Sequence, residues 1–280
     1  MRLDALLPAQ MAERAEEVGV AKATMDLPRL FTLAVLAGAF IALGGVFATT
    51  ALAGAGTAPW GPIRVLAGVV FSLGLILVVV GGAELFTGNT LVVMAWASGR
   101  VGLSALLRNW VTVFAGNFIG AVATATAVGV AGTHHGGDGA FGLAAVAIAH
   151  GKVQLGFPQA VVLGILCNAL VCLAVWLTYS ARTTTDRMLA VVPPIAAFVA
   201  AGFEHSIANM YFVPYAMLVA AIDPEFIAAH GLDGRAVALT WGAFLGRNLL
   251  PVTIGNVIGG AVLVGAVYWF VYLRVPERGP

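Results

Sequence analysis

Charge is what this sequence has least of. Of 280 residues 14 are basic and 13 acidic, 10% in all, against about 25% in a soluble globular domain. Most of the chain therefore lacks the side chains that keep a surface wet. The two signs nearly cancel, leaving a net charge of +1, so there is no basic face of the kind nucleic acid requires. Cysteine is nearly absent. Cys167 and Cys172 are neither a CxxC pair nor a disulfide framework, and they read as small buried residues. No long apolar run precedes Glu13, Glu16 and Glu17, so a signal peptide is not expected.

What is present is apolar surface and glycine. Hydrophobic residues make up 60% of the chain and there are 35 glycines, a composition suited to helices that pack closely through small residues in lipid. Stretches free of charge run over 31–63, from Asn109 to the loop at His134, over 153–181 and over 248–273; 65–99 is broken only by Glu84 and 188–222 only by Glu204. Each reaches the roughly 20 residues that a spanning helix needs, which predicts an all-α membrane protein with six transmembrane helices. When loops are allotted alternately to the two sides, Arg64, Lys152, Arg235 and Arg247 fall on one side and the other ten basic residues on the opposite side. That asymmetry predicts a multi-pass protein with both termini in the cytoplasm. Residues 1–28 read as a cytoplasmic interfacial N-terminal helix, 29–274 as the six-span channel domain and 275–280 as a cytoplasmic tail.

The second and fifth spans are too long. Stretches 65–99 and 188–222 would each run about 52 Å as straight helix, against a hydrocarbon core of about 30 Å. Each carries its single Glu inside the same pattern, Gly82-Ala83-Glu84-Leu85-Phe86-Thr87-Gly88-Asn89 and Gly202-Phe203-Glu204-His205-Ser206-Ile207-Ala208-Asn209. Both spans are expected to be broken at membrane depth. Gly116-Asn117-Phe118-Ile119-Gly120 in the third span is echoed by Gly255-Asn256-Val257-Ile258-Gly259 in the sixth. With an odd number of spans per half, the repeats, about 29–133 and 153–274, are predicted to be inverted, which puts the substrate site at the midplane between the broken helices. Non-helical backbone survives in lipid only where it is buried in protein or lines a polar cavity, so the breaks face inward. Glu84 and Glu204 read as loop scaffold that accepts hydrogen bonds from loop N–H groups and helix ends. His205, whose matching position holds Leu85, is a functional candidate, expected to converge with Thr87, Asn168 and Asn209.

These residues resemble the signatures of the formate/nitrite transporter family: 82–89, Gly164 to Trp176, 202–210 and Asn248 to Asn256. The resemblance runs from about 25 to 274. It implies an inner-membrane homopentamer with an aquaporin-like fold, one pore per protomer, no cofactor, and small monovalent anions as substrates: formate or nitrite, alternatively hydrosulfide. By position it implies a central His at His205, the loop Thr at Thr87, the outer Lys at Lys152 and the pore Asn at Asn168. It also implies apolar constrictions at Phe71, Leu75, Leu85, Phe86, Val171 and Phe198. Protonation or hydrogen bonding at His205 would then govern passage of the anion, with protons as a second partner, while Lys152 concentrates anions outside.

Two other classes are weaker. A neutral-solute channel of the aquaporin type should carry Asn-Pro-Ala motifs, and none is present. An intramembrane enzyme needs a nucleophile with a separately oriented base, and neither Ser98 nor Ser206 has one at suitable spacing. His134, His135 and Asp138 read as a flexible polar loop, not as a metal site.

Overall fold

A computed structural model describes residues 5–274; the expected tail, 275–280, and the first four residues lie outside the described residues. Those described residues form helices and loops and no β-strand. Among the described residues six helices are long and apolar enough to cross a membrane: α2 (Leu27–Leu52), α3 (Trp60–Gly81), α4 (Leu103–Val130), α6 (Phe157–Ser180), α7 (Thr184–Ala201) and α9 (Ala243–Tyr272). Between or before them lie α1 (Pro8–Ala23), α5 (Ala140–Val153) and α8 (Ser206–Ile222). The protein is a multi-pass membrane protein of the expected all-α class. α9 is wound as π-helix over Ala243–Leu249 and Ile258–Ala266, a geometry that sequence periodicity does not announce.

Both overlong spans break where expected. α3 ends at Gly82 and α7 at Gly202, each in the left-handed conformation with φ of 82° and 76°. The Ala83 N–H then returns to the Val78 carbonyl and the Phe203 N–H to the Phe198 carbonyl. Glycine reaches this backbone region without strain, and the 6→1 bond closes the helix end. After the first break the chain makes only short helical pieces, Phe86–Asn89 and Val93–Ala97; after the second it makes α8.

Side-chain amides hold the breaks open. Asn117 on α4 donates to the carbonyls of Ala34 and Glu84 and accepts from the Phe86 N–H. Asn256 on α9 donates to the carbonyls of Gly164 and Glu204 and accepts from the Ser206 N–H. The Glu84 N–H donates to the Leu33 carbonyl, and the Glu204 N–H to the Leu163 carbonyl. Groups that a continuous helix would pair are thus paired across the gap. The pattern recurs bond for bond in the two halves, consistent with the expected inverted repeat, and it begins earlier than its sequence limits. Lys22 on α1 and Lys152 on α5 occupy matched places, each six residues before a proline, Pro28 and Pro158, that starts the next span.

The glycines serve backbone approach. A Cβ on Gly120 would land on the Val35 carbonyl, and one on Gly259 on the Ile165 carbonyl. At these points α2 packs on α4 and α6 on α9 through main chain, as small-residue interfaces in lipid do. Backbone oxygens cannot move aside, so Gly120→Ala and Gly259→Ala are expected to cost about 1–3 kcal/mol each. Gly61→Ala, which meets nothing within 4 Å, should be neutral; thermal unfolding of the detergent-solubilised variants measures the difference. Asn256→Ala strands three buried backbone groups at about 1–3 kcal/mol each and should abolish the folded protein, whereas Asn256→Asp, which keeps the acceptor for Ser206, should retain part of the yield on size-exclusion chromatography.

Candidate functional site

The two breaks meet in the centre of the molecule. His205 caps the N-terminus of α8: its Nδ1 accepts from the Ala208 N–H at 3.0 Å, while its Nε2 lies 3.0 Å from Thr87 Oγ1. A nitrogen that accepts carries no proton, so the hydrogen-bond network assigns the neutral ring's N–H to Nε2, which donates to Thr87. An imidazolium could form only by giving up the Ala208 cap. The ring stacks on Phe198 at a centroid distance of 5.8 Å and an interplanar angle of 17°, and Phe71 meets Phe198 edge-on.

Two cavities approach this contact from opposite ends of α3. The larger, about 640 Å³, is lined by Leu75, Leu85, Gly88 and Val175, with Arg14, Lys22, Arg182 and Arg187 as cations and Glu84 as the carboxylate. The smaller, about 260 Å³, is lined by Phe71, Phe198, His205, Asn209 and Phe212, with Arg64 and Lys152 as cations and Glu204 as the carboxylate. No residue is common to the two linings. Phe71 and Leu75 are one helical turn apart, about 6 Å along the axis, so the septum between the cavities is one turn of apolar side chains thick. Its polar gap is the Thr87–His205 pair, both fully or almost fully buried. Basic groups outnumber carboxylates in both cavities, which raises the local concentration of anions.

Each glutamate anchors a cluster of side chains, not of loop N–H groups as expected from sequence. Lys22 Nζ donates to both oxygens of Glu84 and to Asn89 Oδ1, each at 2.9 Å. Asn89 Nδ2 donates to Glu84 and to Asn109 Oδ1, and Asn109 Nδ2 returns to the Lys22 carbonyl. In the other half Lys152 Nζ donates to Glu204 at 2.8 Å, Asn209 Nδ2 to Glu204 and Asn248 Oδ1, and Asn248 Nδ2 to the Lys152 carbonyl. The mirror is imperfect: Asn248 Nδ2 also donates to Glu204 at 3.2 Å, and the lysines differ. Lys22 makes three hydrogen bonds; Lys152 makes one, lies 5.4 Å over the Phe212 ring and lines the smaller cavity. Asn209 Oδ1, which lacks the lysine that reaches Asn89, is buried and unpartnered.

Of the residues expected at the site, His205 and Thr87 form the septum, Asn209 and Lys152 line the smaller cavity, and Phe71, Phe198, Leu75 and Leu85 flank the contact on its two sides. Asn168, Phe86 and Val171 line neither cavity. Asn168 braces from behind, donating to the carbonyls of Thr87 and Asn256 and to Thr90 Oγ1. Phe86 packs edge-on against Phe114 and Trp110. The sequence reading missed Lys22, Arg64, Asn109, Phe212 and Asn248. A signal existed for two of them, because Asn109 and Asn248 stand at equal spacing before Asn117 and Asn256. Arg64 donates to the carbonyls of Val199 and Ala200 at the end of α7, contacts that only the fold brings together.

Known proteins resemble this chain in sequence and fold. Residues 9–270 match the family described as Formate/nitrite transporter. The formate channel FocA of Escherichia coli strain K12 is 47% identical over 273 residues, covering 97% of this chain and 96% of the relative. The formate channel FocA of Haemophilus influenzae is 41% identical over 263 residues, covering 93% of each. A solved pentameric formate channel with formate bound superimposes with a TM-score of 0.84 at 43% identity, covering 89% of this chain and 98% of that one. By that match over nearly its whole length and by those identities, the chain belongs to the formate/nitrite transporter family.

Proposed function

We propose that this protein carries formate across the inner membrane as an anion, through a separate pore in each protomer of a homopentamer with both termini in the cytoplasm. Nitrite, equally small, planar and monovalent, is accommodated by the same donors. The relatives named above support formate and none is named for hydrosulfide; the excess of basic residues on the α1 side supports the orientation, and the bound pentamer among the solved structures supports the assembly.

One observation carries the reading: two basic cavities separated by a single apolar turn, with a neutral imidazole N–H and a hydroxyl at the gap. Moving a carboxylate-sized ion fully into a medium of low dielectric costs on the order of 20 kcal/mol. A septum about 6 Å thick never demands that transfer, because the ion keeps water on one side until Thr87 and His205 can bond it. The smaller cavity is the outer one, where the Lys152 ammonium collects anions. Proton donation by His205 would require the ring first to gain a proton at Nδ1 and release Ala208.

Formate gradients across proteoliposomes at pH 7 should therefore drive a current. Uptake of one proton with each formate and no current would refute passage as an anion. Thr87→Val removes one donor while keeping the side chain's shape, and is expected to lower formate flux about tenfold, the equivalent of one hydrogen bond to a charged group. His205→Asn keeps an N-cap acceptor and an amide donor, and should retain a reduced current.

A further inference from the structure

The turn before α5 holds a group of side chains that the pore does not use. Thr133–His135 form one turn of 3₁₀ helix, which turns two successive imidazoles to the same side, their ring centroids 4.1 Å apart. Both face Asp223, the residue that ends α8. His134 Nε2 lies 3.0 Å and His135 Nε2 3.2 Å from the same oxygen, Asp223 Oδ2. His134 is buried and His135 largely exposed, at 62%. Asp138, which the sequence grouped with the two histidines, is not among the converging groups; Asp223, 89 residues from His134, takes its place. This loop is therefore an ordered contact between elements, not a free polar excursion.

We propose that His134 Nε2, His135 Nε2 and the Asp223 carboxylate form a binding site for a transition-metal dication of the zinc class, with the fourth position left to water. Tetrahedral Zn²⁺ binds imidazole nitrogen and carboxylate oxygen at about 2.0–2.2 Å, which places neighbouring ligand atoms roughly 3.4 Å apart. All three candidate atoms lie within 4.8 Å of one another, and both nitrogens already stand at nearly the tetrahedral spacing from the carboxylate. Two imidazoles and one carboxylate are the ligand types this metal prefers.

The surroundings hold the ligands ready. Phe226 meets both rings edge-on, at centroid distances of 5.3 and 5.7 Å, and packs on the His230 ring at 4.2 Å. His230 Nδ1 lies 2.9 Å from the Phe226 carbonyl, and the Phe226 N–H donates to Asp223 Oδ1. That backbone bond fixes the orientation of the Asp223 carboxylate, leaving Oδ2 turned to the two imidazoles. The site also has a mechanical consequence. α5 and α8 lie antiparallel, and Lys152 with Glu204 pins one end of the pair. The proposed ion pins the other, fixing both helices that wall the smaller cavity.

Untagged full-length protein in detergent, titrated with Co²⁺ alone, is expected to develop the visible absorption bands of a tetrahedral site, with one ion per protomer, and Zn²⁺ should displace them. Zn²⁺ should also raise the melting temperature, since it binds the folded state. His135→Gln, at an exposed position where the fold is not at risk, should weaken binding more than about tenfold and remove the thermal shift, as should Asp223→Asn. Absence of the bands in the unmodified protein, or bands and a thermal shift unchanged in His135→Gln, would overturn the assignment.

Discussion

A helix interrupted inside a membrane must find a partner for every main-chain group the interruption frees, because no water is there to take them. Asn117 and Asn256 meet that demand, three hydrogen bonds each, and everything functional follows from their success. Once the breaks are stable, Glu84 and Glu204 can be buried beside them, each balanced by a lysine from a helix that lies outside the spans, α1 or α5. The charged clusters in turn fix Asn89 and Asn209. Only then do the two breaks face each other at the centre with Thr87 on one and His205 on the other.

The halves agree in their scaffold and differ in their working parts. Lysine, glutamate and the three asparagines of each half superimpose in role: Lys22 with Lys152, Glu84 with Glu204, Asn89 with Asn209, Asn109 with Asn248, Asn117 with Asn256. At the septum the correspondence stops. Leu85 stands where the other half has His205, and Thr87 where it has Ile207. Even among the shared residues the useful difference is small: Lys22 makes three hydrogen bonds and Lys152 one.

This division explains how much could be read before the fold was known. Spans, breaks and repeat are long-range regularities of charge and glycine, and they are legible because lipid enforces them over every 20 or so residues. Glu84 and Glu204 were read as loop scaffold, but their lysine partners were not foreseen, since Lys22 and Lys152 come from segments that no hydropathy argument brings to the breaks. His205 stood out as a lone ionisable group in an apolar run. Asn168, expected to converge with it, reaches the Thr87 and Asn256 carbonyls and Thr90 and lines neither cavity, because sequence gives a residue's depth in the membrane but not the direction it faces. His134 and His135 were paired with the wrong aspartate for a related reason: Asp138 is near in sequence, and Asp223 is near in space.

The septum's thinness has an electrical consequence. A membrane voltage falls mainly across whatever separates the two conducting solutions. Here that is one helical turn between Phe71 and Leu75, about 6 Å, and not the full hydrocarbon thickness of about 30 Å. The field at the Thr87–His205 pair is thereby focused roughly fivefold. An elementary charge that passes this one turn traverses nearly the whole potential in a single step, about 2.3 kcal/mol for each 100 mV. An anion passing charged, as proposed, would thus meet the cell's voltage as a force acting at one hydrogen bond.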